Sequence, residues 1–228
     1  LNNNILRNYI KYNLFSTTND KQEQGYVNSL FVASVATSFE QYKDVFTNLG
    51  ISANYDNLRT DSSASSSLKK QKGEFTEVSG ILGFSVDKRN RSFKPTDGSI
   101  TRFSQSIPLL ADKPSITNLF SSSSYLQFNE DFVGAGKFFI ETIHGLNGED
   151  VRISKRKFLS GSRLRGFEKG KVGPVDGTDH VGGNYAASIN FEASLPNLLP
   201  DSSNAEVGFF LDIGNVWGVD YDKTIDDS

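Results

Sequence analysis

The segment Tyr185-Ala-Ala-Ser-Ile-Asn-Phe-Glu-Ala-Ser-Leu195 alternates along its whole length. Tyr185, Ala187, Ile189, Phe191, Ala193 and Leu195 fall on one face, and Ala186, Ser188, Asn190, Glu192 and Ser194 on the other. A period of two with one apolar and one polar side is the pattern of a β-strand between two different surroundings. Segment 205–217 repeats it, with Val207, Phe209, Leu211, Ile213 and Trp217 opposite Glu206, Gly208, Phe210, Asp212 and Gly214.

The same period runs back through the chain. Leu6, Ile10, Tyr12 and Leu14 oppose Arg7, Lys11 and Asn13. Val27, Phe31, Ala33, Val35 and Phe39 oppose Asn28, Ser34, Ser38 and Glu40, although Leu30 and Val32 blur the polar face. Leu49, Ile51, Ala53 and Tyr55 oppose Ser52, Asn54 and Asp56; Val78, Leu82, Phe84 and Val86 oppose Glu77, Ser79, Ser85 and Asp87. Segments 99–110, 115–128 and 136–146 are rougher but strand-like. The sequence therefore predicts an all-β chain of about nine strands and no helix.

A soluble β-sandwich also alternates. Two features favour a transmembrane antiparallel β-barrel instead. The polar faces stay polar over the roughly ten residues that cross a bilayer at a tilt. The connections also differ in length: 59–72, rich in Ser and Lys and read as a solvated tip, and 147–181 are long, whereas those around 40–45 and 196–204 are short. Long loops at one end and short turns at the other characterise outer-membrane barrels.

Composition narrows the function. The 228 residues carry a net charge of -3, so the basic footprint of a nucleic-acid binder is missing. With 36% hydrophobic residues the chain is too apolar for a disordered acidic tail. Zero Cys removes disulfides, thiolate metal sites and cysteine nucleophiles. Leu1 opens the chain without a basic or apolar leader, which reads as an internal fragment. Gly161-Ser-Arg-Leu-Arg-Gly166 has P-loop spacing, but Phe167 stands where Lys is required. His144 and His180 are far apart and suggest no zinc site, and there is no G-x-S-x-G elbow. Asp176, Asp179, Asp220, Asp222, Asp226 and Asp227 read as solvated loop carboxylates. No enzyme and no cofactor are expected.

One ordered set of motifs remains. Leu164-Arg165-Gly166-Phe167 lies in the long loop and is followed by Gly-Lys-Val-Gly-Pro at 170–174, by Gly182-Gly183-Asn184, and by Phe209-Phe210-Leu211-Asp212-Ile213-Gly214-Asn215-Val216-Trp217. Upstream, Asp87-Lys-Arg89 precedes Pro95-Thr-Asp-Gly98. This set resembles the C-terminal barrel of BamA-type outer-membrane protein assembly factors. The resemblance implies strands 5 to 13 of a sixteen-stranded barrel in the outer membrane of a Gram-negative bacterium, with periplasmic POTRA domains and the seam strands outside residues 1–228. The Asp87–Gly98 stretch would be a periplasmic turn, and the loop 147–181 would fold back into the lumen. Its partners would be unfolded outer-membrane protein clients, outer-membrane lipid and accessory assembly lipoproteins.

The alternation leads independently to the carboxylates that would partner Arg165. If the aromatic faces meet lipid, Glu192 and Asp212 point into the lumen and Arg165 is the natural cation between them, its planar fork suited to carboxylates. Read without the resemblance, Arg165 is a solvated loop arginine and the two carboxylates line a channel; it is the resemblance that docks the loop. Gly166 would permit a tight turn, Phe167 would anchor the tip, and Gly208 and Gly214 would leave room on the wall. The rivals are a protein-translocating pore of two-partner secretion or TamA type, which shares the Arg-Gly loop, a passive porin-like channel, and a barrel enzyme.

Overall fold

A computed structural model describes residues 9–21, 25–195 and 207–225. The strands are β1 (Tyr9–Lys21), β2 (Tyr26–Tyr42), β3 (Val45–Thr60), β4 (Gly73–Asp87), β5 (Gly98–Ala111), β6 (Ser115–Asn129), β7 (Phe132–Gly145), the short β8 (Val175–Asp176) and β9 (Asp179–His180), β10 (Tyr185–Leu195) and β11 (Val207–Trp217). Nine form one sheet in the order β1-β2-β3-β4-β5-β6-β7-β10-β11, while β8 and β9 form a separate ribbon inside the long loop. Every pairing is antiparallel. The sheet is thus a meander, and the register keeps like faces together: Ser188 opposes Phe139 and Gly214, and Asn190 opposes Lys137 and Asp212.

The apolar rows are not buried against a second sheet. Phe191 is 52% exposed, Phe209 68% and Ile213 55%, and Ile10, Tyr12, Leu14, Phe31, Leu49, Ile51 and Phe84 are exposed with them. A sandwich would hide these side chains, so that alternative falls; this is a membrane-barrel wall, whose outward rows are apolar. Leu30 and Val32, which blur the pattern of β2, share the inward face with Asn28 and Ser34.

The sheet is rolled toward its polar face. Ser65, between β3 and β4, donates to Asp176 Oδ2 at 2.6 Å, and Tyr221, just beyond β11, donates to the same oxygen at 3.0 Å. In a flat sheet β4 and β11 would be about 24 Å apart at the usual strand spacing. Tyr26, Leu58, Ala64, Leu68, Ile153 and Val181 form one buried cluster under this closure, with Phe75, Val219 and Tyr221 against it. The barrel remains unclosed, with β1 and β11 at its edges.

Three expectations need correction. A short helix, α1 (Ser66–Lys69), interrupts the Ser/Lys loop, capped by Ser65, whose Oγ accepts the Leu68 N–H. This loop is no solvated tip, because Ala64 and Leu68 are buried in the cluster just described. A further single turn, a 3-10 helix, lies at Ile153–Lys155. Loop lengths also do not sort cleanly by end. The connection 112–114 shares its end with the long loops, whereas 88–97 shares its end with the short turn 43–44. The 88–97 turn holds its own shape: Arg89 clasps Asp87 through Nε (2.8 Å) and Nη2 (2.7 Å), and Asn90 bonds Thr96. Leu6, Arg7, Glu206, Asp226, Asp227 and the connection 196–204 lie outside the described residues.

Candidate functional site

The long loop leaves β7 and returns to β10, and it is held to the inward face at two places. The first is its tip. Leu164 is buried with Leu159 of the same loop against Phe139, Ala186 and Val216 of the wall. Its neighbour Arg163 lays its guanidinium over the Phe139 ring, 3.4 Å from the centroid, and its carbonyl accepts from Asn190 Nδ2 at 2.7 Å. This packing delivers Arg165 to Asp212. The carboxylate accepts from Arg165 backbone N (2.9 Å), Nε (2.7 Å) and Nη2 (2.6 Å), and from Asn190 Nδ2 (2.8 Å). Arg165 Nη2 also lies 3.1 Å from Glu192 Oε1, and its guanidinium sits 3.9 Å from the Phe210 ring centroid. Glu192 in turn accepts from Lys137 of β7. These bonds hold the Arg165 guanidinium above its ordinary pKa, so its charge is permanent.

Arg165, Glu192 and Asp212 are therefore in direct contact. The other two motif residues behave differently from one another. Gly166 takes φ +85 with open space around it, so its role is the left-handed turn itself. Phe167 is 60% exposed, and the apolar anchor of the tip is instead the buried Leu164. Gly214 does make room for the loop, since a Cβ there would meet Leu159 at 2.9 Å. A Cβ at Gly208 would meet only wall backbone, at Ala193 and Ser194.

The second attachment, at the root of the loop, was not anticipated. Arg152 bonds Asp56 of β3 through Nη1 (3.1 Å) and lies over the Phe75 ring, 4.2 Å from its centroid. Ser154 donates to the same carboxylate at 2.6 Å. Lys155 pairs with Glu77 of β4, and Lys157 with Glu141 of β7 at 2.8 Å. Arg156, wholly buried, bonds Asp220 and also reaches Asn184 Oδ1 (3.1 Å) and the Val151 carbonyl (3.0 Å). Burial works to raise the Asp220 carboxyl, but the Val151 N–H, Asn184 and Arg156 outweigh it and hold the group below its ordinary value. The signal was the run Val151-Arg-Ile-Ser-Lys-Arg-Lys157, basic in an acidic chain, facing acids on the polar rows.

The Gly182-Gly183-Asn184 motif belongs to this root. Gly183 exchanges two backbone hydrogen bonds with Lys157, and a Cβ on it would strike the Trp217 backbone. Asn184 bridges Arg156 and Asp220, donating to the latter at 3.1 Å. Asp176 and Asp220 are thus loop fasteners rather than solvated carboxylates. No cluster among the described residues has the groups to hold a metal ion. His144 packs edge-on to Tyr185 near the strand end, and His180 sits in β9.

A rolled antiparallel wall with apolar rows outward, and a loop clamped by ion pairs to its polar inner face, defines the class: a transmembrane β-barrel with a docked lumenal loop. The chain belongs to the Omp85 superfamily, whose domain matches residues 7–228. It is 25% identical over 213 residues to the outer membrane protein assembly factor BamA of Neorickettsia risticii, covering 90% of this chain and 28% of that protein. It is 28% identical over 144 residues to a SAM50-like protein of Schizosaccharomyces pombe, covering 60% and 30%. The chain thus spans less than a third of these curated relatives. The crystal structure of BamA from Haemophilus ducreyi lacking POTRA domains 1-3 superposes with a TM-score of 0.76 at 21% identity, over 92% of this chain and 46% of that one.

Proposed function

We propose that this chain is barrel wall from an assembly factor that folds and inserts β-barrel proteins into the bacterial outer membrane. The observation that carries the reading is the Arg165 clamp on Asp212 and Glu192, made by the tetrapeptide that marks the BamA-type resemblance, within a chain of the Omp85 superfamily. The work is non-covalent: client strands pair at an opened edge of the barrel, because an unpaired strand edge is a template for another strand, and the clamped loop braces the wall during opening. Unfolded barrel proteins, outer-membrane lipid and accessory lipoproteins are the partners this reading entails.

Arg165→Glu places a third carboxylate beside Asp212 and Glu192. The intact protein with this change should release the loop tip and fail to support growth in cells lacking the wild type. Normal complementation at normal levels would remove the clamp from the mechanism. A porin-like channel differs from an assembly factor in two measurable ways: large, steady conductance in planar bilayers, and no acceleration of client folding in proteoliposomes. The assembly reading expects client folding to accelerate and to be lost with Arg165→Glu.

A further inference from the structure

The outward face of the wall is not apolar everywhere. Leu49, Leu82, Gln105, Asn118, Thr142 and Tyr185 are successive register partners on β3, β4, β5, β6, β7 and β10, so all six share that face. Three of them form a hydrogen-bonded ladder. Gln105 Nε2 donates to Asn118 Oδ1 at 2.7 Å, and Asn118 Nδ2 donates to Thr142 Oγ1 at 3.3 Å. On the same face the hydroxyls of Thr101 and Ser122 share a hydrogen bond of 2.9 Å. These residues are what roughens the alternation of β5, β6 and β7, whereas the outward rows of β10 and β11 carry Phe191, Phe209 and Ile213.

The ladder lies within the apolar band, not at its boundary. On β5, Gln105 stands between Phe103 on one side and Ile107 and the exposed Leu110 on the other. On β6, Asn118 stands between Ile116 and Phe120. Hydrocarbon supplies no donor or acceptor, so polar groups at this depth are met by protein or cost free energy. Among the described residues the ladder leaves unused the Gln105 carbonyl oxygen, one N–H of each amide and the Thr142 hydroxyl proton. All three side chains are partly exposed, so these groups are open to a neighbour. We propose that this face of β5, β6 and β7 is where a second copy of the protein packs in the membrane, ladder against ladder. A side-chain amide both donates and accepts, and the ladder carries no charge, so the surface complements itself. Two copies inserted in the same sense are related by an axis along the membrane normal, which brings equal depths together. Amides then meet amides, and the apolar row at Phe103 and Phe120 meets its own counterpart. The contact does not depend on the Arg165 clamp.

The test places one cysteine in the intact protein, in a background without others. It stands on this face as Ser122→Cys, or on the outward row of β3 as Ile51→Cys. Native membranes are treated with a short bifunctional thiol cross-linker. Ser122→Cys should give a covalent homodimer in clear excess over Ile51→Cys. Gln105→Leu together with Asn118→Leu should weaken the association about tenfold, the scale of two hydrogen bonds within a membrane. Both changes turn an apolar side chain toward lipid, and heat-modifiable migration on a gel reports whether the barrel still folds. Energy transfer between dye-labelled wild-type copies in proteoliposomes is the second measurement and needs no variant; it should persist as lipid is added. Equal cross-linking at the two positions, an unchanged yield in the folded double variant, an adduct with a different protein in place of the homodimer, or energy transfer that falls in proportion to dilution overturns the contact.

Discussion

At the scale of residues, the tip of the long loop shows how little a motif says about individual side chains. Leu164 and Phe167 are both apolar, yet one is buried between Phe139 and Val216 and the other stands in solvent. Leu164→Ala should therefore cost about 2–5 kcal/mol of local stability, the usual range for emptying a packed site, whereas Phe167→Ala should stay within about 0.5 kcal/mol. The rate at which trypsin cleaves at Arg163 and Arg165 in the intact protein measures both; equal acceleration would mean that Phe167 carries packing of its own. That Glu192 and Asp212 share the inward face was legible because alternation fixes which side a strand carboxylate occupies. The arrival of Arg165 between them was legible only through the resemblance of its tetrapeptide to the BamA-type loop. The side that Phe167 takes was not legible, since it depends on the left-handed turn at Gly166. Nor were the partners of Arg152, Ser154 and Lys155, which lie 96, 98 and 78 residues away in sequence.

At the scale of elements, strands with one polar and one apolar side announce themselves, and β10 and β11 begin and end within a residue or two of their alternating segments. Loops do not. The Ser/Lys loop looks solvated by composition, but two scattered apolar residues, Ala64 and Leu68, decide its fate by reaching a core that the loop cannot form alone. The rows on β10 and β11 make the assignment of faces testable. Spin labels at Phe191, Phe209 and Ile213 should be quenched by a lipid-soluble relaxant, and labels at Ser188 and Asn190 should be shielded from it. Equal quenching on both rows would contradict a lumen on the Asn190 side. Most strands also outrun the membrane: β3, with 16 residues, rises about 40 Å at a usual barrel tilt, against roughly 30 Å of hydrocarbon. The surplus gives Asp56, near the end of β3, a position where it can meet the root of the loop.

At the scale of the whole molecule, the long loop ties together parts of the wall that a flat sheet would keep far apart, from Asp56 on β3 to Asp220 beyond β11. Its two attachments differ in wetness. The tip cation Arg165 is 30% exposed, with Glu192 at 28% and Asp212 at 3%, whereas both members of the Arg152–Asp56 pair are dry, at 5% and 6%. Concentrated electrolyte will distinguish them, because at about 1 M the screening length shrinks to roughly 3 Å for wet charges and hardly touches dry ones. In strong brine the far end should lift while the near end stays moored, and trypsin should cut after Arg165 well before it reaches Arg152 or Arg156. Simultaneous cleavage at all three would show a single latch. Staggered cleavage would show a tethered flap, one that can swing out of the cylinder and find its way back.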